Sequence, residues 1–297
     1  MNPLMMLGLA CGLFALQFLF SKGYQLRTGV GLEPVLWLSV LQAAWVIAIF
    51  WPLNGFALRC NGTSLLFASA YALCALGCSA MSQFAMGRGT VAMVTLFCLA
   101  GGLVLPTGYG IVCLGERLAW RQWLGFGLML VALLPVALPG RDEALRGRGI
   151  FWLLCGGVFL LNGAIGVVTK AHVIHPLAVP ERDFLLQAAC FQLILALLGL
   201  GWRRSRARLR GEAGQLRISW LPVLLVGCYT LCNGTASTFS MAAAKTLDAS
   251  FQFPVISASV ILLTALLAWA AFRERPSRRE WLELGLSCAG ILLMIGA

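Results

Sequence analysis

The chain has 297 residues, of which 60% are hydrophobic and only 11% charged, and its mean hydropathy is +0.87. Soluble proteins carry about a quarter charged residues, so this composition argues against a water-soluble enzyme and excludes a disordered chain. The net charge of +11 does not indicate nucleic-acid binding, because the basic residues lie between apolar segments rather than on one face or in a nucleic-acid-binding motif.

Ten apolar segments, each close to the ~20 residues that cross a bilayer, predict ten transmembrane helices. In chain order they are 3–21, 34–53, 63–86, 89–114, 120–139, 149–169, 184–202, 219–244, 249–272 and 280–296. Eight of these segments contain no Asp, Glu, Lys or Arg, as the cost of a charge at mid-bilayer requires. The first segment lacks the basic flank and cleavage site of a signal peptide, so we interpret it as the first span.

An internal repeat divides the chain into residues 1–140 and 149–297. Lys22 closes the first predicted span and Lys170 closes the sixth, at an offset of 148 residues. Each half contains five spans, and an odd number forces the two halves to cross the membrane in opposite directions. This is the inverted-repeat plan of secondary transporters, whose site lies near the midplane between the repeats.

Matching charged turns end the fourth and ninth spans. Glu116 and Arg117 lie in a Gly-Glu-Arg turn, and Glu274 and Arg275 lie in a second copy that has Arg273 in place of the glycine. Each turn precedes a glycine-bearing apolar span. With the two lysines, this pattern resembles the drug/metabolite transporter superfamily, specifically the EamA-type ten-span permeases. The resemblance implies an all-α integral membrane protein with ten transmembrane helices in two inverted five-helix repeats. We interpret the four charged turn residues as structural, capping or salt-bridging the turn into the next span.

The candidate substrate-binding residues are uncharged polar side chains within apolar spans, where such groups are costly unless they are used or paired. They are Gln17, Gln83, Thr95, Tyr109, Asn162, Tyr229, Asn233 and Gln252. The resemblance implies that they surround the solute, because the first, third and fourth spans of each half line the family's cavity. The alternative for each is hydrogen bonding between helices. A functional role is favoured for four of the amides, since packing rarely satisfies all four hydrogen-bonding positions of an amide. These four are Gln17, Asn162, Asn233 and Gln252.

Charged and metal-ligating residues give less specific signals. Lys22 and Lys170 lie at equivalent positions of the two halves, and each either contacts a substrate charge or extends to the membrane interface. His172 and His175 are expected to be polar connector residues rather than metal ligands. No catalytic group, metal site or cofactor is predicted.

The predicted function is secondary transport at the inner membrane, with a small-molecule solute and the lipid bilayer as partners. No carboxylate lies at mid-span, so we expect a neutral or zwitterionic, amino-acid-like solute, exported by alternating access. A nutrient importer, a multidrug exporter and a non-transporting scaffold or accessory subunit are the alternatives, and proton coupling and homodimer formation stay open. Orientation also stays open. Sixteen of the 22 Lys and Arg residues follow odd-numbered spans, which places both termini outside the cytoplasm, whereas the resemblance implies that both are inside.

Overall fold

The computed structural model describes residues 2–29, 31–86, 88, 91–132, 148–209, 219–272 and 278–295, and the regular structure of this part is entirely helical. Its ten helices are α1 (Pro3–Thr28), α2 (Leu32–Leu53), α3 (Gly62–Met86), α4 (Val91–Cys113), α5 (Trp120–Ala132), α6 (Arg148–Ile174), α7 (Glu181–Leu209), α8 (Trp220–Ala244), α9 (Ala249–Phe272) and α10 (Arg278–Ile295). We refer to α1–α5 as the N-terminal half and to α6–α10 as the C-terminal half.

Local sequence signals set the ends of α1. The side chain of Asn2 accepts a hydrogen bond from the Leu4 N–H at 3.0 Å, and Pro3 occupies the first helical position. Both features favour a helix start, because the first turn has unpaired N–H groups and proline has none to lose. The helix ends at Gly29, whose φ of 76° is a conformation that glycine adopts without strain.

Each of the ten predicted segments corresponds to a helix, but several helices are longer than predicted. Helix α1 continues to Thr28 and α6 to Ile174, beyond the predicted ends at 21 and 169. The predicted segments end at charged residues. A charged residue limits how much of a helix can lie in hydrocarbon, but the hydrogen-bonded helix can continue beyond it.

Length and composition make the chain a multi-pass membrane protein. Five helices, α1, α2, α3, α6 and α7, are long and apolar enough to cross a membrane. Shorter apolar stretches lie in three more helices, at Phe97–Cys113 in α4, Ala249–Thr264 in α9 and Leu284–Ile295 in α10. That all ten helices span the bilayer stays a prediction.

The helices of one half pack mainly against helices of the other half. Helix α1 packs on α8 and α9, α6 packs on α3 and α4, α2 packs on α7, and α5 packs on α10. Helices α3 and α8 also begin 158 residues apart, at Gly62 and Trp220. The two halves therefore share one large interface rather than forming separate bundles.

Glycine allows the close approach of α4 and α6. A Cβ atom at Gly101 would collide with the backbone carbonyl of Phe159, and one at Gly163 would lie 2.6 Å from the Gly101 carbonyl oxygen. Small residues let helix backbones approach closely in membranes, where van der Waals packing replaces the hydrophobic effect as a driving force. This contact brings the polar residues at the centre of α6 against the backbone of α4.

Candidate functional site

The clearest polar contact near the middle of the helices is an amide pair. Asn233 in α8 donates from Nδ2 to Oε1 of Gln17 in α1, with 2.6 Å between the two atoms. Gln17 is buried and Asn233 is half-buried. Among the described residues, Nε2 of Gln17 and Oδ1 of Asn233 have no hydrogen-bond partner, and neither atom is fully enclosed. The pair thus joins the two halves and keeps hydrogen-bonding capacity for another molecule.

Asn162 makes a second amide contact between the halves. Its Nδ2 atom donates to the backbone carbonyl of Cys98 in α4 at 2.8 Å. A Cβ atom at Gly102 would lie 2.8 Å from the same nitrogen, so the side chain occupies the space that the missing Cβ leaves. The geometry gives Asn162 a packing role at the α4–α6 contact. Its amide oxygen has no hydrogen-bond partner among the described residues.

The other predicted site residues lie apart from this pair in the described contacts. Gln252 is fully buried and donates to the carbonyl and the hydroxyl of Ser240, at 2.8 and 3.0 Å, while its own Oε1 has no partner. The buried Oε1 of Gln83 also has none within the part of the chain described. Tyr109 and Tyr229 are half-buried. The side chain of Thr95 lies outside the described residues.

Lys170 is buried and caps a helix. Its ammonium group donates to the carbonyl oxygens of Ala244 at 2.8 Å and Leu247 at 2.6 Å, where α8 ends, and only 4% of the residue is exposed. The last carbonyls of a helix lack partners within the helix and carry partial negative charge. A cation there donates the missing hydrogen bonds and balances the charge. Neither predicted environment, a substrate charge or the membrane interface, describes this position. Lys22 is half-buried in α1.

Glu116 caps a helix of the other half rather than the turn into the next span. Its carboxylate oxygens accept from the backbone N–H groups of Ala249 at 2.8 Å and Ser250 at 2.7 Å, in the first turn of α9. The preceding Gly115 has a φ of 69°, which turns the chain back, and a Cβ at Gly110 would collide with the carboxylate. Arg117 is exposed, and Glu274 and Arg275 lie outside the described residues.

A network at the same end of the molecule was not predicted. Asp183, in the first turn of α7, accepts from Nδ2 of Asn54 at 2.6 Å and from the backbone N–H of Arg59 at 3.2 Å. Gln187, one helical turn later, donates to the Arg59 carbonyl at 2.7 Å. Both side chains are 2% exposed. The i, i+4 spacing of two polar residues at the start of an apolar span was the available signal.

His172 belongs to this network, and its assignment to a connector was wrong. Helix α6 continues through it, and the ring is buried, stacked on Phe184 with 4.2 Å between ring centroids. Its Nε2 lies 3.2 Å from the Ser64 hydroxyl oxygen. The residue therefore ties the start of α3 to α6 and α7, a tertiary role that sequence spacing does not reveal.

A cavity of about 360 Å³ lies at this end rather than beside the amide pair. Its lining comes from three connections, after α2, after α6 and after α8, together with the end of α6. The lining residues are Arg59, Val173, Ala178, Val179, Pro180, Glu181 and Lys245. The ammonium group of Lys245 and the carboxylate of Glu181 form an ion pair at 2.5 Å.

No family model matches the chain. A Klebsiella pneumoniae protein named "Probable 4-amino-4-deoxy-L-arabinose-phosphoundecaprenol flippase subunit ArnE" is 27% identical over 90 residues, which are 30% of this chain and 75% of that protein. The Salmonella typhimurium protein of the same name is 28% identical over 72 residues, 24% of this chain and 64% of that protein. The chain is similar to flippase subunits. This similarity supports a role in membrane transport. It covers less than a third of the chain.

One solved crystal structure matches nearly the whole chain. It covers 97% of this chain and 94% of its own, with a TM-score of 0.71 and 16% sequence identity. At this identity the likeness shows a shared fold alone. The helical arrangement described above is therefore one that a solved protein adopts over most of its length.

Proposed function

We propose that this protein is a secondary transporter in which two inverted repeats, residues 1–140 and 149–297, move against each other by alternating access. The solute is small and neutral or zwitterionic, like an amino acid, and the direction is export across the inner membrane. The observation that carries the proposal is the hydrogen bond between Gln17 and Asn233, which joins the two halves near mid-depth.

An uncharged amide pair suits a solute that must bind and leave. When a solute enters, the bond between the amides is replaced by bonds from each amide to the solute, so the net free-energy change is small. A solute with net charge needs a compensating charge in the low-dielectric interior, and the pair offers none. A zwitterion carries both signs and needs only hydrogen-bonding partners for each group.

The packing between the halves supports the repeat. Helix α1 packs on α8 and α9 as α6 packs on α3 and α4, which is the exchange that a two-fold relation between the halves would give. The offset of 158 residues between the starts of α3 and α8 points the same way. In such a fold the site lies between the repeats, where the amide pair is.

The similarity to ArnE favours a second candidate. That protein's name describes a probable flippase subunit for an amino-sugar joined to phosphoundecaprenol. A flippase moves a polar headgroup across the bilayer while the apolar chain stays in lipid, and an uncharged amide pair could serve this headgroup too. The name also describes a subunit, so an accessory role beside a partner chain belongs to this candidate.

Profiles of metabolites and lipids in cells and medium test the proposal. The variant Gln17→Met/Asn233→Leu replaces both amides with apolar side chains of similar size, which avoids leaving an unpaired partner. The matched control is Thr169→Val/Thr238→Val, on α6 and α8, because both hydroxyls bond only within their own helix. Strains with equal membrane abundance of wild type, variant and control are compared with a strain that lacks the protein.

We expect a zwitterionic compound to accumulate in the medium with the wild type and the control but not with the amide variant. Depletion of a medium compound would identify an importer instead. A change confined to the lipid extract would favour the flippase candidate. Identical profiles for wild type and the empty strain across growth conditions would overturn transport by this chain alone.

A further inference from the structure

The cavity at the end of α6 has charged groups from both halves. Arg59 comes from the connection after α2, Glu181 begins α7, and Lys245 follows α8, while Val173 and Val179 add apolar side chains. A site that both halves build would be altered by any movement between them. Its ligand therefore bears on the proposed transport cycle.

The three charged residues that line the cavity carry one positive charge in excess, and it lies on Arg59. The carboxylate of Asp183 accepts from the backbone N–H of Arg59 and does not line the cavity. Lys245 and Glu181 neutralise each other in their ion pair. Within the described residues the guanidinium group of Arg59 makes no hydrogen bond or ion pair. A guanidinium group presents a planar fork of donors that matches two oxygens of a phosphate or carboxylate.

The backbone of Arg59 is held on both sides by buried groups. Asp183 accepts from its N–H and Gln187 donates to its carbonyl, and both of these side chains are 2% exposed. Burying two polar side chains is costly unless each is satisfied, so this loop position is strongly anchored. These two bonds fix the backbone of Arg59 beside the cavity, and Arg59 forms part of the cavity lining.

Two residues that line the cavity are each preceded in the sequence by an exposed apolar residue. Leu58 precedes Arg59 and is 42% exposed, and Leu177 precedes Ala178 and is 58% exposed. At the end of α2, the indole N–H of Trp51 donates to the Phe56 carbonyl at 2.9 Å, and exposed aromatic residues are typical of the membrane–water interface. These surroundings fit a ligand with an apolar body and a charged head.

We propose that this cavity binds the phosphodiester headgroup of an amphiphile, with the phosphate on the guanidinium group of Arg59. The single negative charge of a phosphodiester balances the excess positive charge. A bare carboxylate would leave most of the 360 Å³ empty, whereas the group beyond the phosphodiester can hydrogen bond to Glu181 and Lys245. The inference goes beyond the proposed function, because it assigns an anionic amphiphile to a cavity that lies apart from the amide pair.

Native mass spectrometry of the full-length protein in detergent tests this site with three probes. Palmitoyl-oleoyl phosphatidylglycerol supplies the phosphodiester, the diacylglycerol with the same chains lacks it, and inorganic phosphate lacks the chains. Arg59→Gln removes the guanidinium group and leaves the backbone anchors of residue 59 in place, and Arg59→Lys keeps the charge without the fork. Arg117→Gln is the matched control, because it removes an exposed arginine at the same end of the molecule.

We expect saturable binding of phosphatidylglycerol that weakens about tenfold in Arg59→Gln, the loss of one charge-assisted hydrogen-bonded contact. The affinity of Arg59→Lys for phosphatidylglycerol should lie between those of the wild type and Arg59→Gln. Arg117→Gln should bind as the wild type does. The diacylglycerol should not compete. Equal melting temperatures of the lipid-free variants would show that the loss is not one of folding.

Binding that is indifferent to Arg59, or equally weakened by Arg117→Gln, would overturn the site. Inorganic phosphate that competes at similar concentration would overturn the amphiphile and identify a site for soluble anions. Binding is measured without transport, so its failure is separate from failure of the transport proposal. Transport that continues in Arg59→Gln leaves the proposed function intact, and a lost site with intact transport overturns only this inference.

Discussion

The cap that Glu116 forms on α9 allows a quantitative prediction. Replacing it with alanine removes both acceptors of the backbone N–H groups of Ala249 and Ser250, at 2.8 and 2.7 Å. These N–H groups have no partner within the helix, and they carry the positive end of its dipole. The substitution therefore leaves the first turn of α9 uncapped within the protein interface.

The expected loss follows from the two bonds. A capping side chain contributes about 0.5–2 kcal/mol, and a hydrogen bond to a charged group about 1.5–3 kcal/mol. Glu116 is half-buried, so water recovers part of the loss and we expect Glu116→Ala to lower the free energy of unfolding by about 2–3 kcal/mol. Glu116→Gln keeps one acceptor oxygen and should lose about half as much.

Thermal unfolding of the purified protein in detergent, followed by tryptophan fluorescence, measures the effect. A loss of this size corresponds to a melting temperature lower by about 5–10 °C. Glu181→Gln is the control, because it removes a carboxylate at the same end whose partner Lys245 is 53% exposed, and exposed ion pairs contribute less than about 1 kcal/mol. Equal melting temperatures for Glu116→Ala and Glu181→Gln would refute the capping argument.

Three further predictions use the same unfolding measurement. Gly101→Ala should destabilise by about 3 kcal/mol through its clash across α4 and α6, whereas Gly156→Ala, which meets nothing within 4 Å, should be neutral or stabilising; equal effects would contradict the close approach. The double-mutant cycle of Gln17→Met and Asn233→Leu should give a coupling energy of about 1 kcal/mol, and strictly additive effects would argue against their bond. Lys170→Met should cost about 2–4 kcal/mol by leaving two carbonyls of α8 unpaired, and a wild-type melting temperature would contradict its capping role.

The positions of the helices could be predicted from the sequence, because a bilayer demands about 20 apolar residues per span. The helix ends were less predictable. Backbone hydrogen bonding continues α6 past Lys170 to Ile174, although the hydrophobic pattern stops at residue 169. Composition identifies the hydrocarbon-embedded part of a helix, and local capping residues determine where it ends.

The partners of the charged residues could not be predicted. A lysine at a span end is expected to reach water, but Lys170 donates to a carbonyl 74 residues away in the chain. Glu116 was predicted to be structural from its place in a turn, and the two N–H groups that donate to it lie more than 130 residues away. Which helix end meets a charge is decided by how the two halves dock, and residue spacing within one half does not contain that information.

Three buried or half-buried charged residues of this end, Glu116, Lys170 and Asp183, bond to backbone groups of other elements. Each bond joins a helix end to another element. Separating the elements would leave a charged group and at least one backbone group without hydrogen-bond partners in the protein interior, which is costly. In the proposed transport cycle, these contacts are therefore the ones that must break together when this end opens. The amide pair of Gln17 and Asn233 separates at far lower cost, because neither partner is charged. Under the proposed transport cycle, the charged contacts therefore separate at a higher cost than the uncharged pair at mid-depth, which a bound solute can replace.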